Sequence, residues 1–210
     1  MRQRYADKKT LLTEAAKVLI QKPDLKFTEL ATKTGMFSRI IKSFPGGKEE
    51  IVLSIFRDFW SGYLFELQLI RMALKKIEER FHLGILLFAN YVMSNQLEFS
   101  VIRTQYLPPF AVEKYENKPD LKALRIEVDG LKNSVRQELM QIIKEGQDCG
   151  ELDAKTPLPV IYNFLVGAII GTFLEHFPLD QTGAKPGESG YYDLRETLGN
   201  ISICLKTLIK

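Results

Sequence analysis

The chain holds 210 residues with a net charge of +3; 45% of them are hydrophobic and 26% charged, the balance of a soluble globular protein. Its 14 Gly and 9 Pro are too few for a disordered or collagen-like chain. No apolar run approaches the roughly 18 residues of a membrane span, and the opening Met1-Arg2-Gln3-Arg4-Tyr5-Ala6-Asp7 has no signal-type apolar stretch behind it, so the membrane and secreted classes are not expected.

Charge is unevenly spread. Residues 1–50 carry eleven Lys/Arg against six acids, an excess of +5, while the other 160 carry 18 basic and 20 acidic groups. A basic head on a near-neutral body suits a polyanionic partner, and equally suits a solvated basic surface. Two cysteines, Cys149 and Cys204, make no disulfide framework, so a cytoplasmic location is expected.

Nearly every segment has helical spacing, which predicts an all-α fold. A first helix is expected from residue 7 or 8 to 21, with Leu11, Leu12, Ala15, Ala16, Leu19 and Ile20 as its apolar stripe, ended by Lys22-Pro23-Asp24. A short helix follows over 27–33, and Gly35 stops it as a left-handed cap. A third covers 36–43 and is closed by Pro45-Gly46-Gly47. A long helix is expected over 48–76, its first turn holding Glu49 and Glu50 at the positive end of the dipole. Helices over 81–94 and 97–106 come next, broken by Pro108-Pro109. Residues Leu121, Leu124, Val128, Leu131, Val135, Leu139, Ile142 and Gly146 then alternate steps of three and four, one continuous buried stripe. After a turn at Gly150, Pro157 or Pro159 opens a helix to 176. A polar loop with Gly183, Pro186, Gly187 and Gly190 precedes a last helix with Leu194, Leu198, Ile201, Leu205 and Leu208 in register.

Helix, glycine turn and short helix is the layout of a helix-turn-helix, whose second helix enters a DNA major groove. On a wheel at 100° per residue, Met36, Phe37, Ile40, Ile41 and Phe44 fall within one arc of about 140°. That arc is expected to pack on the first two helices. Ser38, Arg39, Lys42 and Ser43 fill the opposite arc without one acid, so they are the expected DNA contacts.

The stretches 12–19 (LTEAAKVL), 27–35 (FTELATKTG) and 44–51 (FPGGKEEI) resemble the N-terminal domain of TetR-type transcriptional regulators. Residues 143–153 (IKEGQDCGELD) resemble that family's approach to its dimerisation helices. The resemblance covers about residues 8–52 at the N-terminus. It implies a DNA-binding domain at 1–48 and an α-helical effector-binding and dimerisation domain at 49–210. It also implies a repressor that binds double-stranded DNA at a palindromic operator as a homodimer and is released by a small, largely apolar effector. Lys48 matches the lysine at the head of the family's fourth helix, where a phosphate is held. Three features depart from the pattern. The run from Gly35 to Phe44 is one residue short, Ile41-Lys42-Ser43 replaces the usual aromatic phosphate contacts, and Phe37 stands where a polar groove-facing residue is common. These departures motivate an alternative, a protein of the same fold with an impaired reading helix that acts as a protein-interaction co-regulator.

The resemblance further implies a dimer built from the last two helices. Phe164, Gly167, Ala168 and Gly171 would supply one face, and Leu194, Leu198, Ile201 and Leu205 the other. For the effector, the aromatic-rich middle offers Trp60, Tyr63, Phe88, Tyr91, Tyr106 and Phe110, residues that serve equally well as plain core. Catalysis and cofactors find no support. Two histidines, His82 and His176, and two cysteines give no metal-ligand spacing. Gly46-Gly47-Lys48 lacks the rest of a phosphate loop, and Gly187-Glu188-Ser189-Gly190 is not a nucleophile elbow. No enzyme, metal, cofactor or membrane partner is expected.

Overall fold

The computed structural model describes residues 2–73, 77–105, 115, 117–150 and 152–176, and the following concerns those. Eight helices succeed one another without a strand among the described residues: α1 (Arg2–Gln21), α2 (Phe27–Lys33), α3 (Phe37–Ser43), α4 (Lys48–Ala73), α5 (Ile77–Ser94), α6 (Gln96–Thr104), α7 (Pro119–Asp148) and α8 (Leu158–His176). The chain is all-α, as its periodicity predicts. The expected terminal helix, with Leu194, Leu198, Ile201, Leu205 and Leu208, and the glycine-rich loop before it lie outside the described residues.

Local chemistry explains the N-terminal breaks. At the start of α2 the Glu29 carboxylate accepts a hydrogen bond from the Lys26 N–H at 3.1 Å, half of a capping box. At its end the Thr34 hydroxyl donates to the Ala31 carbonyl at 2.8 Å and accepts from the Met36 N–H at 3.3 Å. Gly35 takes φ +68, a left-handed value that costs a Cβ-free residue nothing, and so turns the chain into α3. A second such glycine, Gly47 at φ +77, turns α3 into α4 and donates its N–H to the Phe44 carbonyl at 2.9 Å.

Contacts divide the chain into two compact units, residues 1–62 with 94–133 and residues 63–93 with 134–210. This partition follows packing and is a different one from a DNA-binding head at 1–48. In the first unit Leu11, Ala15, Ala16 and Leu19 of α1 bury against Leu30 and Ala31 of α2, Ile40 of α3 and Phe44. The same cluster takes in Ile51, Leu53, Ile55 and Phe56 from α4 and Leu121 and Val128 from α7. Three of the small α1 and α2 side chains are alanines, which let those helices approach closely. In the second unit the buried set is Tyr63, Leu67, Phe88, Val92, Val135, Ile142, Ile143, Ile161 and Leu165. Arg71 of α4 bonds both Glu138 and Glu145 of α7, each at 2.9 Å, and Arg80 of α5 shares Glu145 at 2.5 Å.

Several boundaries shift from the sequence expectation. α1 begins at Arg2 rather than near residue 7, and α5 at Ile77 rather than at 81. In both places a polar or charged stretch lacks any breaker, so the helix continues past its apolar stripe. Met36 is the N-cap of α3 rather than its first turn.

Candidate nucleic-acid interface

α3 is held from one side only. Ile40 and Phe44 are fully buried, Met36 and Ile41 are half-buried, and Ser38, Arg39 and Lys42 are exposed, with Ser43 at the margin. Two cations and one hydroxyl therefore project from a seven-residue helix whose other side is anchored in the core of the first unit. The wheel is wrong at one position. Phe37, expected among the packed residues, is 49% exposed. Side chains on a helix lean toward its N-terminus, so a ring in the first turn projects past the end of the helix, not down onto the core.

Lys48 begins α4 half-buried, and its ammonium donates to the Pro23 carbonyl. The Gln105 amide donates to that same carbonyl at 3.2 Å. An ammonium carries three N–H donors, so this internal bond ties α4 to the α1–α2 turn and leaves donors over. At the same helix start the Glu50 carboxylate accepts from the Gly46 N–H at 2.8 Å and lies 3.7 Å from the Lys8 ammonium, which stacks over the Phe44 ring.

A basic pair escapes sequence reasoning. The charge of Lys22, just after α1, lowers the pKa of Lys33 at the end of α2 below the usual lysine range. Two like charges set together in solvent repel, and an anion between them relieves the cost. They lie eleven positions apart in sequence, and the α1–α2 turn brings them together.

The aromatic candidates separate. Trp60 belongs to the first unit and meets Phe59 edge-on at 5.3 Å, and Phe59 lies 5.9 Å from Phe99. In the second unit Tyr63 is buried between Phe88 at 5.0 Å and Tyr91 at 5.7 Å. Burial pushes the Tyr63 phenol well above its ordinary pKa, and Tyr162 adds to the shift. Tyr106 and Phe110 lie outside the described residues. A cleft of about 510 Å³ in the second unit is lined by the charged Arg71, Arg80, Glu138 and Glu145 with Gln68 and Met72, and by none of the aromatic candidates.

α8 shows a face of opposite character to α3. Ile161 and Leu165 are buried, while Val160 (56%), Phe164 (48%) and Gly167 are exposed at positions i, i+4 and i+7. A Cβ added at Gly167 meets nothing within 4 Å. The side-chain surroundings of Ala168 and Gly171 lie outside the description, as do Leu194, Leu198, Ile201 and Leu205. No helix among the described residues is long and apolar enough to cross a membrane.

No protein-family model matches the sequence, and no curated protein matches it. Solved structures do. A TetR family transcriptional regulator, PfmR from Thermus thermophilus, superposes with a TM-score of 0.70 over 92% of this chain and 94% of its own, at 17% identity. The fatty acid degradation regulator FadR from Bacillus halodurans gives 0.72 over 97% and 100%, at 12% identity. FadR from Bacillus subtilis, in complex with stearoyl-CoA, gives 0.71 over 98% and 100%, at 16% identity. Matches that span nearly the whole of both chains identify the fold as that of the TetR-type regulators, an N-terminal helix-turn-helix followed by a helical C-terminal domain.

Proposed function

We propose that the protein is a TetR-type transcriptional repressor that binds a palindromic operator in double-stranded DNA as a homodimer and is released by a small, largely apolar effector. The observation that carries this is α3 itself, with Ile40 and Phe44 buried on one side and Ser38, Arg39 and Lys42 exposed on the other. A groove-reading helix needs that division, because one face must fix its position while the other meets base edges. Arg39 and Lys42 suit guanine edges or phosphates, Ser38 and Ser43 either, and Lys48 with the Lys22–Lys33 pair suits the backbone. Residues 1–48 form the DNA-binding domain in this reading and 49–210 the effector and dimer domain.

The exposed stripe of Val160, Phe164 and Gly167 supports self-association through α8, with open space above the Cβ-free Gly167. For the effector, the packed rings of buried Tyr63 and Phe88 and half-buried Tyr91 support an apolar contact surface. The stearoyl-CoA bound to the Bacillus subtilis neighbour is an amphipathic molecule of the kind such a surface suits. Release requires that this effector bind the DNA-free state more tightly than the DNA-bound one, since equal affinity shifts nothing.

Selection of bound fragments from random double-stranded DNA tests the proposal. Enrichment of a palindrome is expected, with affinity falling by about 0.9 log units per log unit of salt for each phosphate neutralised. The missing aromatic pair at Ile41-Lys42-Ser43 favours the second reading, a protein-interaction co-regulator. An intact dimer that enriches no sequence would overturn the first reading and favour the second.

A further inference from the structure

Among the described side chains of α1 to α3, Phe37 is the one large hydrophobic group that is exposed. It is the first residue of α3, its neighbour in sequence is the exposed Ser38, and the exposed Lys42 follows about 140° around the helix. A phenyl ring left in water is unfavourable, and nothing in the anchoring of α3 uses it, since Ile40 and Phe44 fill the core. In a helix-turn-helix the N-terminal residues of the second helix are the ones that meet base edges.

A phenyl group has no donor or acceptor, so it is blind to the amino, carbonyl and N7 groups of the major groove. One apolar group stands on those edges, the C5-methyl of thymine. We infer that Phe37 is a specificity-determining residue that reads a thymine methyl in each operator half-site. The inference rests on the operator-binding reading above. It assigns the aromatic ring of α3 to base discrimination, beside the cations Arg39 and Lys42 that supply charge.

The test replaces each thymine of the selected operator, one position at a time, by deoxyuridine, which removes the methyl and nothing else. For the unaltered protein, one position in each half-site weakens binding by roughly fourfold, the size of one buried methyl group. Phe37→Ala binds the thymine and deoxyuridine operators equally, with an unchanged salt slope, and Phe37→Leu restores part of the discrimination. Circular dichroism of both variants shows a folded protein, because the ring is half in solvent already. Equal deoxyuridine sensitivity in the unaltered protein and in Phe37→Ala overturns the inference and leaves operator binding standing, as does the absence of any sensitive position. Failure to select any operator overturns both together.

Discussion

Along α3 the residues left in solvent are Phe37, Ser38, Arg39 and Lys42, whereas along α8 they include Val160, Asn163, Phe164 and Gly167. Each helix is anchored in the same way, by aliphatic side chains on its opposite face: Ile40 in α3, Ile161 and Leu165 in α8. What differs is the chemistry turned outward. A cationic face gains from a polyanion and loses that gain to salt. An apolar face gains from any matching apolar surface, and a second copy of the chain offers one by symmetry. The two faces should therefore respond independently to substitution and to ionic strength.

The largest effect is expected at Phe164→Glu. A carboxylate in an apolar two-fold interface is buried twice without a partner, at a cost of about 4 kcal/mol or more. That is roughly a thousandfold in the dimer dissociation constant. Sedimentation should then return the 24.1 kDa chain mass, with helicity unchanged. A variant that still sediments as a dimer would remove α8 from the interface. Next comes the hidden side of α3. Ile40→Ala empties a fully buried site and should cost about 2–5 kcal/mol in urea unfolding. A smaller loss would mean that α3 is not clamped to α1 and α2 as its burial implies.

On the exposed side, Arg39→Ala and Lys42→Ala should each weaken operator binding by about 1–3 kcal/mol while leaving stability and dimer mass unchanged. A residue that contacts phosphate lowers the salt slope by about one, and one that contacts a base relaxes specificity at one position. If both substitutions leave operator binding as it was, α3 does not read DNA, and the contrast with α8 loses its functional meaning.

The sequence was most legible where one property decides the outcome. Apolar period and breakers place α2 at its observed bounds and the start of α4 at Lys48. Gly35 was readable as a left-handed turn because few other residues adopt that φ at no cost. Phe37 departs from the wheel because a wheel records angle and ignores position along the axis, and a first-turn side chain leans past the helix end. The Lys22–Lys33 pair and the Arg71–Glu138–Glu145–Arg80 cluster had no local signature, since tertiary folding alone brings their members together. Composition alone cannot separate Trp60 in one unit from Tyr63, Phe88 and Tyr91 in the other.

The Arg71–Glu138–Glu145–Arg80 cluster gives the smallest effect and a control for the charges of α3, because its cations are already paired. Burial disfavours the Glu145 carboxylate, but bonds from Gln141 and Arg71, with the charges of Arg71 and Arg80, outweigh it and hold its pKa below the ordinary value. A carboxyl depressed in the folded state contributes stability above its unfolded pKa of about 4.3, and that contribution is lost as pH falls through the folded value. Glu145→Gln should thus cost about 1 kcal/mol at pH 7, with Arg71 still held by Glu138. The difference between variant and parent should shrink as the pH is taken below about 4. A difference that stays constant down to about pH 3 would mean that the side chain acts through packing rather than charge. The salt slope of operator binding should not move with this substitution, since a charge paired within the protein displaces no counterion from DNA.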